Sequence, residues 1–232
     1  MAPSRAPTRP AAAAPTAAAD PRALRREPEQ VRAKRSLDAI LGAAAELVGE
    51  QGTDGFSMAE LARRAGVSKP ALYRYFPNKR AILVRLARAS FEDNARLLAE
   101  AMTPRPGASE AETYREAISA YCALQRSQPF RAHLRAAMTA DPELAALDLE
   151  DSRRNAELAT ALLRARHPEL PADTLQARAL LLMVLVDALA GLSTQVEDAE
   201  AAVLIRAFVD MTAPALGIDP ALGIDPAVAP RS

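Results

Sequence analysis

The chain has 232 residues, half of them apolar, with 29 basic and 29 acidic side chains, one cysteine and no tryptophan. That is enough core for one larger or two small domains, and an alanine-rich, aromatic-poor composition favours helices over sheets. The lone Cys122 excludes an internal disulfide and suits a reducing cytoplasm.

Residues 1–30 are rich in proline and alanine and read as a disordered tail. Their last arginines, Arg22, Arg25 and Arg26, are placed to brush a DNA minor groove, although a solvated tail is the plainer reading. No apolar core followed by a cleavage site marks a signal peptide there. A first helix follows, with Leu37, Ile40, Leu41, Ala44, Leu47 and Val48 on one face, ending near Gly52. Arg35 near its start is a candidate phosphate contact.

Ser57 to Lys79 carries the strongest signal. Ser57 and Glu60 have the spacing of a capping box, and Phe56 can staple against Leu61. Ser68 caps the next helix, Val67 faces Leu72, and Pro70 sits in the first turn, where its missing amide costs little. Gly66 follows the last turn of the preceding helix. Two short helices joined by a glycine turn make a helix-turn-helix. In the second, Leu72 and Phe76 point inward, while Lys69, Pro70, Ala71, Tyr73, Arg74 and Tyr75 lie on outer or flanking faces. Recognition helices read bases with their N-terminal residues, here Lys69, Pro70 and Ala71. Tyr73, Arg74 and Tyr75 suit phosphate contacts. Asn78 can cap a following helix, leaving the amide and ammonium of Lys79 as an anion site.

The remaining chain reads as helices over 79–102, from Ser109 to before Pro129, 130–139, 141–166 (with a possible break near 147–149), 172–196 and 199–213. An all-α fold is expected: a tail (1–30), a DNA-binding head (31–78), a helical body (79–213) and a second disordered tail (214–232). In that tail Ala215–Pro220 is repeated at once as Ala221–Pro226. Residues 31–85 carry a net +5 and residues 1–30 a net +2, leaving −7 for the rest. A basic head on an acidic body is the footprint of a protein that grips phosphate at one end.

No glycine loop for phosphates, paired-histidine zinc motif or nucleophile elbow occurs. His133 and His167 have no companions at metal spacing, so neither an enzyme nor a cofactor or metal is expected. From Ala179 to Leu192 the chain is apolar on nearly every side and needs burial on nearly every side. Asp187 interrupts that run, which is too short for the roughly 20 residues that span a bilayer. Its carboxylate needs a partner, and Arg206 on the last helix is a candidate.

Residues Arg35 to Leu83 resemble the DNA-binding domain of the TetR/AcrR transcriptional regulators. The likeness rests on Ile40, Ala44, Gly52 and Phe56, the run Leu61-Ala62-Arg63-Arg64-Ala65-Gly66-Val67-Ser68, then Leu72-Tyr73-Arg74-Tyr75-Phe76 and Asn78-Lys79. Tyr75 stands where the family commonly has histidine and keeps a hydrogen-bonding tip. The resemblance implies a double-stranded palindromic operator and a homodimer joined through helices 172–196 and 199–213. It also implies a hydrophobic or aromatic effector held among the middle helices, with Met102, Tyr114, Tyr121, Cys122, Phe130, Met138, Asn155, Met183 and Asp187 as candidate contacts. The function implied is a cytoplasmic repressor released from DNA by a small molecule, without a membrane partner. An activator, or an architectural DNA-binding protein without a ligand, is the alternative.

Overall fold

The computed structural model describes residues 29–101, 103 and 106–219. The described residues form nine α-helices and one 3-10 turn, with no strand. The helices are α1 (Glu29–Gly55), α2 (Met58–Arg64), α3 (Lys69–Tyr75), α4 (Lys79–Ala101), α5 (Glu110–Ser127), α6 (Phe130–Ala140), α7 (Pro142–Arg164), α8 (Ala172–Ser193) and α9 (Asp198–Thr212). The 3-10 turn is Pro214–Leu216.

Helix α1 is helical to Gly52, whose φ of 75° breaks the helical backbone before the short turn to Gly55. Ser57 caps α2 by accepting from the Glu60 amide at 3.1 Å. Only this half of the expected capping box forms. The Glu60 carboxylate instead accepts from Gln51 Nε2 at 3.0 Å, which ties α2 to the end of α1. A complete box forms at the start of α5, between Ser109 and Glu112. Ser68 caps α3 through the Ala71 amide, and Asn78 caps α4 through the Ala81 amide. Gly66, at φ 66°, makes the turn between α2 and α3 in the left-handed region that favours glycine.

Ile40, Leu47, Leu61, Leu72 and Ile82 are fully buried and form the centre of the head. This core does not stop at residue 78. It takes in Leu83, Leu86 and Phe91 of α4, Leu134 and Met138 of α6, and Leu144 of α7. Helix α6 lies against α1, and Gly49 permits the approach: a Cβ there would stand 3.3 Å from the Phe130 amide nitrogen. The body has a separate core from α5, α7, α8 and α9, including Ile118, Cys122, Leu163, Leu175 and Val209.

Two expectations about the body fail. Helix α7 runs unbroken through 147–149, because Leu147 packs against the head core and Asp148 against α6. The C-terminal segment does not leave the fold at residue 213. Leu216 and Ile218, in the first copy of the hexapeptide, are 3% and 2% exposed within the body core. Gly217 makes the turn between them at φ 81°, against the ring of His167. His167 in turn lies 2.9 Å from Glu110 Oε2, so it joins the α7–α8 loop to α5 rather than standing free. The N-terminal tail, Met102 and the second hexapeptide lie outside the described residues.

Helix α8 is 22 residues long and apolar enough to cross a bilayer by length and composition. In this fold one of its faces packs on α5 and α7, carrying the buried Leu175, Ala179, Leu182, Val186 and Leu189. At its end, Arg126 of α5 bonds the carbonyls of Ser193 and Val196 and the carboxylate of Asp198. That guanidinium meets the negative end of the α8 dipole and holds the corner into α9.

Because Leu134 is 1% exposed in a core shared by head and body, Leu134→Ala should lower stability by about 2–5 kcal/mol. Urea denaturation of the full chain checks this.

Candidate DNA-binding surface and internal cavity

The helix-turn-helix is held from inside by Leu61, Leu72 and Phe76, 0%, 0% and 6% exposed. This packing leaves the N-terminal half of α3 facing solvent. Lys69, Pro70, Tyr73 and Arg74 are exposed, and Ala71 and Tyr75 are half-buried. Tyr73 is 51% exposed although it is aromatic. Tyr75 packs partly on the head core and carries the Arg74 guanidinium 5.5 Å above its ring. The hydroxyls of Ser57 and Ser68 are engaged as caps at the exposed starts of α2 and α3.

Lys79 opens α4, but its ammonium does not stand alone. It donates to the Asp54 carbonyl at 3.0 Å and lies 4.8 Å over the Phe56 ring. These contacts hold the loop before α2 against the start of α4, beside α3. Arg64 is directed away from α3, paired with Glu50 at 2.6 Å. Arg35 lies on the exposed side of α1.

The body holds a cavity of about 90 Å³ between α4, α5, α7 and α8, with Leu216 and Ile218 in its wall. Five of the sequence candidates line it: Tyr114, Tyr121, Asn155, Met183 and Asp187. Three do not. Phe130 and Met138 lie on the stripe of α6 that faces the head, and Cys122 is buried in the body core, outside this lining. The helical period explains the split: residues 130, 134 and 138 share one face of α6, and Arg135 projects from another into the cavity.

The pairing expected for Asp187 is also different. Its partners are Arg135 Nη1, at 2.7 Å, and the Tyr121 hydroxyl. Arg206 is exposed on α9 beside a separate surface groove. Burial raises the Asp187 carboxyl above its usual range, opposed by the Arg135 charge and the Tyr121 hydrogen bond. Burial likewise pushes the Tyr121 hydroxyl up, and the Asp187 charge adds to it. Tyr114 is pushed to about 12 by burial, although its hydroxyl keeps a 2.7 Å hydrogen bond to Thr212.

Sequence reasoning missed Arg135, Asp148, Asp151 and Ser152, all of which line the cavity. A signal was present. Asp148, Asp151, Ser152 and Asn155 recur at helical spacing and share a face of α7 with Leu144 and Ala159. A polar stripe on a core-facing side needs partners inside the protein.

Residues 40–86 match the family model described as bacterial regulatory proteins, tetR family, and residues 108–216 match tetracyclin repressor-like, C-terminal domain. The tetracycline repressor protein class A from transposon 1721 of Escherichia coli is 46% identical over 61 residues, 26% of this chain and 28% of that protein. The class D repressor of Escherichia coli is 40% identical over 55 residues, 24% of this chain and 25% of that protein. The chain thus matches only about a quarter of the length of these curated relatives. A TetR-family transcriptional regulator from Streptomyces coelicolor superposes with a TM-score of 0.60 at 26% identity, over 80% of this chain and 98% of that one. The TetR family repressor AlkX from Dietzia shares the fold at 19% identity and a TM-score of 0.54, over 78% of this chain and 98% of that one. Head and body are both matched, and the chain belongs to the TetR family of bacterial transcriptional regulators.

Proposed function

We propose that this protein is a homodimeric repressor, freed from a palindromic operator by a small molecule that enters the body cavity. The observation that carries the reading is that one continuous helix, α4, begins with Lys79 beside the exposed recognition helix and reaches the cavity with Phe91, Asn94 and Leu98. A purely architectural DNA-binding protein has no use for a cavity at the far end of that helix.

In this reading Lys69, Pro70 and Ala71 meet base edges at the N-terminus of α3. Tyr73, Arg74, Tyr75, Lys79 and Arg35 contact phosphates, with Ser57 and Ser68 at the helix starts nearest the backbone. Two heads are needed for a palindrome. The surface that supports a dimer is the outer stripe of α8 and α9: Leu181, Val184, Leu185 and Leu192 with Val203 and Met211, each between 45% and 80% exposed. Such a contiguous apolar face on a soluble chain marks an association site.

Two links would transmit a change in the cavity to the heads. One is α4 itself, clamped to α6 by Arg131, whose side chain is 3% exposed and bonds Asn94 at 3.0 Å and Asp93 at 2.9 Å. The other is α7, which carries Asp148, Asp151, Ser152 and Asn155 in the cavity wall and Asp141 at its N-terminus. Asp141 and Glu143 pair with Arg80, next to Lys79, at 2.7 and 2.8 Å. A ligand that favours a different spacing of α4 and α7 would thereby favour a different spacing of the heads.

Footprinting of the purified protein on DNA flanking its own gene should show a two-fold symmetric protected site; unpatterned, salt-abolished binding would count against sequence-specific repression. On that site Lys69→Ala should relax preference at one base position at a cost of about 1–3 kcal/mol, whereas Lys79→Ala should weaken specific and random DNA alike and lower the salt slope by about 1. Leu185→Glu should shift the protein to monomer in sedimentation and reduce operator affinity roughly a hundredfold, since the second head is then lost. Arg80→Ala should leave the folded protein close to wild-type stability, because its partners are surface carboxylates. It should blunt effector-driven release in a DNA-binding titration.

A further inference from the structure

We infer that the molecule taken up by the cavity is a cation, an ammonium or amidinium group on an alkyl or aryl body. This rests on the effector reading above and adds the charge of the ligand to it.

Charge is the first argument. The lining holds three carboxylates, Asp148, Asp151 and Asp187, and one guanidinium, Arg135. Arg135 is already divided between two of them, 2.7 Å from Asp187 and 3.4 Å from Asp148. Asp151 bonds Arg154, but that side chain is 62% exposed and stands outside the cavity lining. Its charge and hydrogen bond offset part of the burial cost of Asp151, which still leaves three carboxylates against two guanidiniums. The polar end of the cavity is left with surplus negative charge, and an entering anion would meet it at short range.

Idle hydrogen-bonding capacity is the second argument, and it is independent of charge. Asn155, 7% exposed, donates through Nδ2 to Asp151 Oδ2 at 2.9 Å. A carboxylate accepts, so this bond fixes which end of the amide is which. Asn155 Oδ1 is left as an acceptor with no hydrogen bond among the described residues. Ser152 lines the cavity at 8% exposure, and its hydroxyl also makes no hydrogen bond among the described residues. The donors nearby are committed: Tyr121 to Asp187, Tyr114 in its pair with Thr212, and Arg135 to its two acids. Neither atom is sealed in the packed interior: both are open to the cavity, where the amide oxygen can only accept and the hydroxyl can accept or donate. A ligand that brings N–H donors and positive charge satisfies them together.

The rest of the wall sets the body of the ligand. Leu98, Ile118, Leu163, Leu182, Leu216 and Ile218 supply an apolar surface that suits an alkyl or aryl body. Burial holds Asp187 and Asp151 above the usual carboxylate range, and the neighbouring acids add to this. A bound cation would relieve it.

The test uses the full chain and matched probes: phenylpropylamine, phenylpropanol and phenylpropanoate, followed by octylamine, octanol and octanoate. Binding is read by calorimetry and release by fluorescence anisotropy on the footprinted DNA. The amines should bind about tenfold or more tightly than the alcohols, and the carboxylates least. Asp148→Asn, changing a side chain 30% exposed, should cost amine affinity about tenfold more than it costs alcohol affinity. Alcohols or carboxylates binding as tightly as amines would overturn the cation, while their release of DNA would keep the effector reading. Amine-selective, Asp148-dependent binding that leaves DNA bound would support the cation and sink the effector reading. Failure of every probe to bind overturns the inference.

Discussion

A carboxylate on an otherwise apolar helix has to be neutralised inside the protein, and that requirement organises the body of this regulator. Asp187 lies on α8 between the buried Val186 and Leu189, and its side chain lines the cavity. Its partners come from two other helices, Tyr121 from α5 and Arg135 from α6, and Arg135 reaches a third, α7, through Asp148. Four helices therefore meet at one small group of charges. Removing Arg135 would leave Asp187 with the Tyr121 hydroxyl but no opposite charge, which costs more than the complete group contributes. The geometry of the group is correspondingly unforgiving.

One consequence reaches the head. With Arg135 fixed toward Asp187, the period of α6 turns Leu134 and Met138 onto the adjoining side, into the core built by α1 and α4. Helix α6 is 11 residues long, too short to form alone in water, so its existence depends on both faces being occupied. It is a spacer with a charged side set by the cavity and an apolar side set by the head. Arg131, one turn before Arg135, adds the bonds to Asp93 and Asn94 that hold α4 alongside. A change at the polar end of the cavity cannot leave the head packing untouched, because interiors are close-packed and do not deform continuously.

The head was legible in the sequence because its signals are local. Ser57, Ser68 and Asn78 each act on the amide three residues away, Gly66 is needed where the backbone turns left-handed, and Leu72 and Phe76 fall inside by helical spacing alone. The start of α4 followed from the same kind of mark, whereas α8 and α9 open without a side-chain cap and α8 stops at Ser193, short of the expected 196. The body was less legible because its decisive contacts are long-range. Nothing local distinguishes Arg135 from Arg206 as the partner of Asp187, since the choice depends on how α6 and α9 are placed around α8. Phe130, Met138 and Cys122 are the bulky residues that pattern reasoning assigns to a cavity, and the same bulk serves a plain core equally well. Leu216 and Ile218 were hidden by their surroundings. Proline, glycine and a repeated hexapeptide look like a tail, yet a 3-10 turn and one left-handed glycine suffice to fold two apolar side chains back into the body core.

Helix α8 shows why apolarity on every side has more than one solution. Read as a sequence, residues 179–192 call for burial all round, and a second subunit is the simplest supply of it. The fold divides the circumference into three sectors. Ala179, Leu189 and Ala190 lie in the packed core, Leu182, Met183 and Val186 face the cavity, and Leu181, Val184, Leu185 and Leu192 remain outside. The first sector stabilises the monomer, the second gives an apolar ligand its surface, and only the third calls for another chain. The cavity sector and the outer sector alternate along the same few turns. Anything that shifts α8 to fit a ligand must therefore also shift the stripe on which a partner would sit. In a dimer joined there, the cavity, the interface and the spacing of the two heads form a single mechanical system.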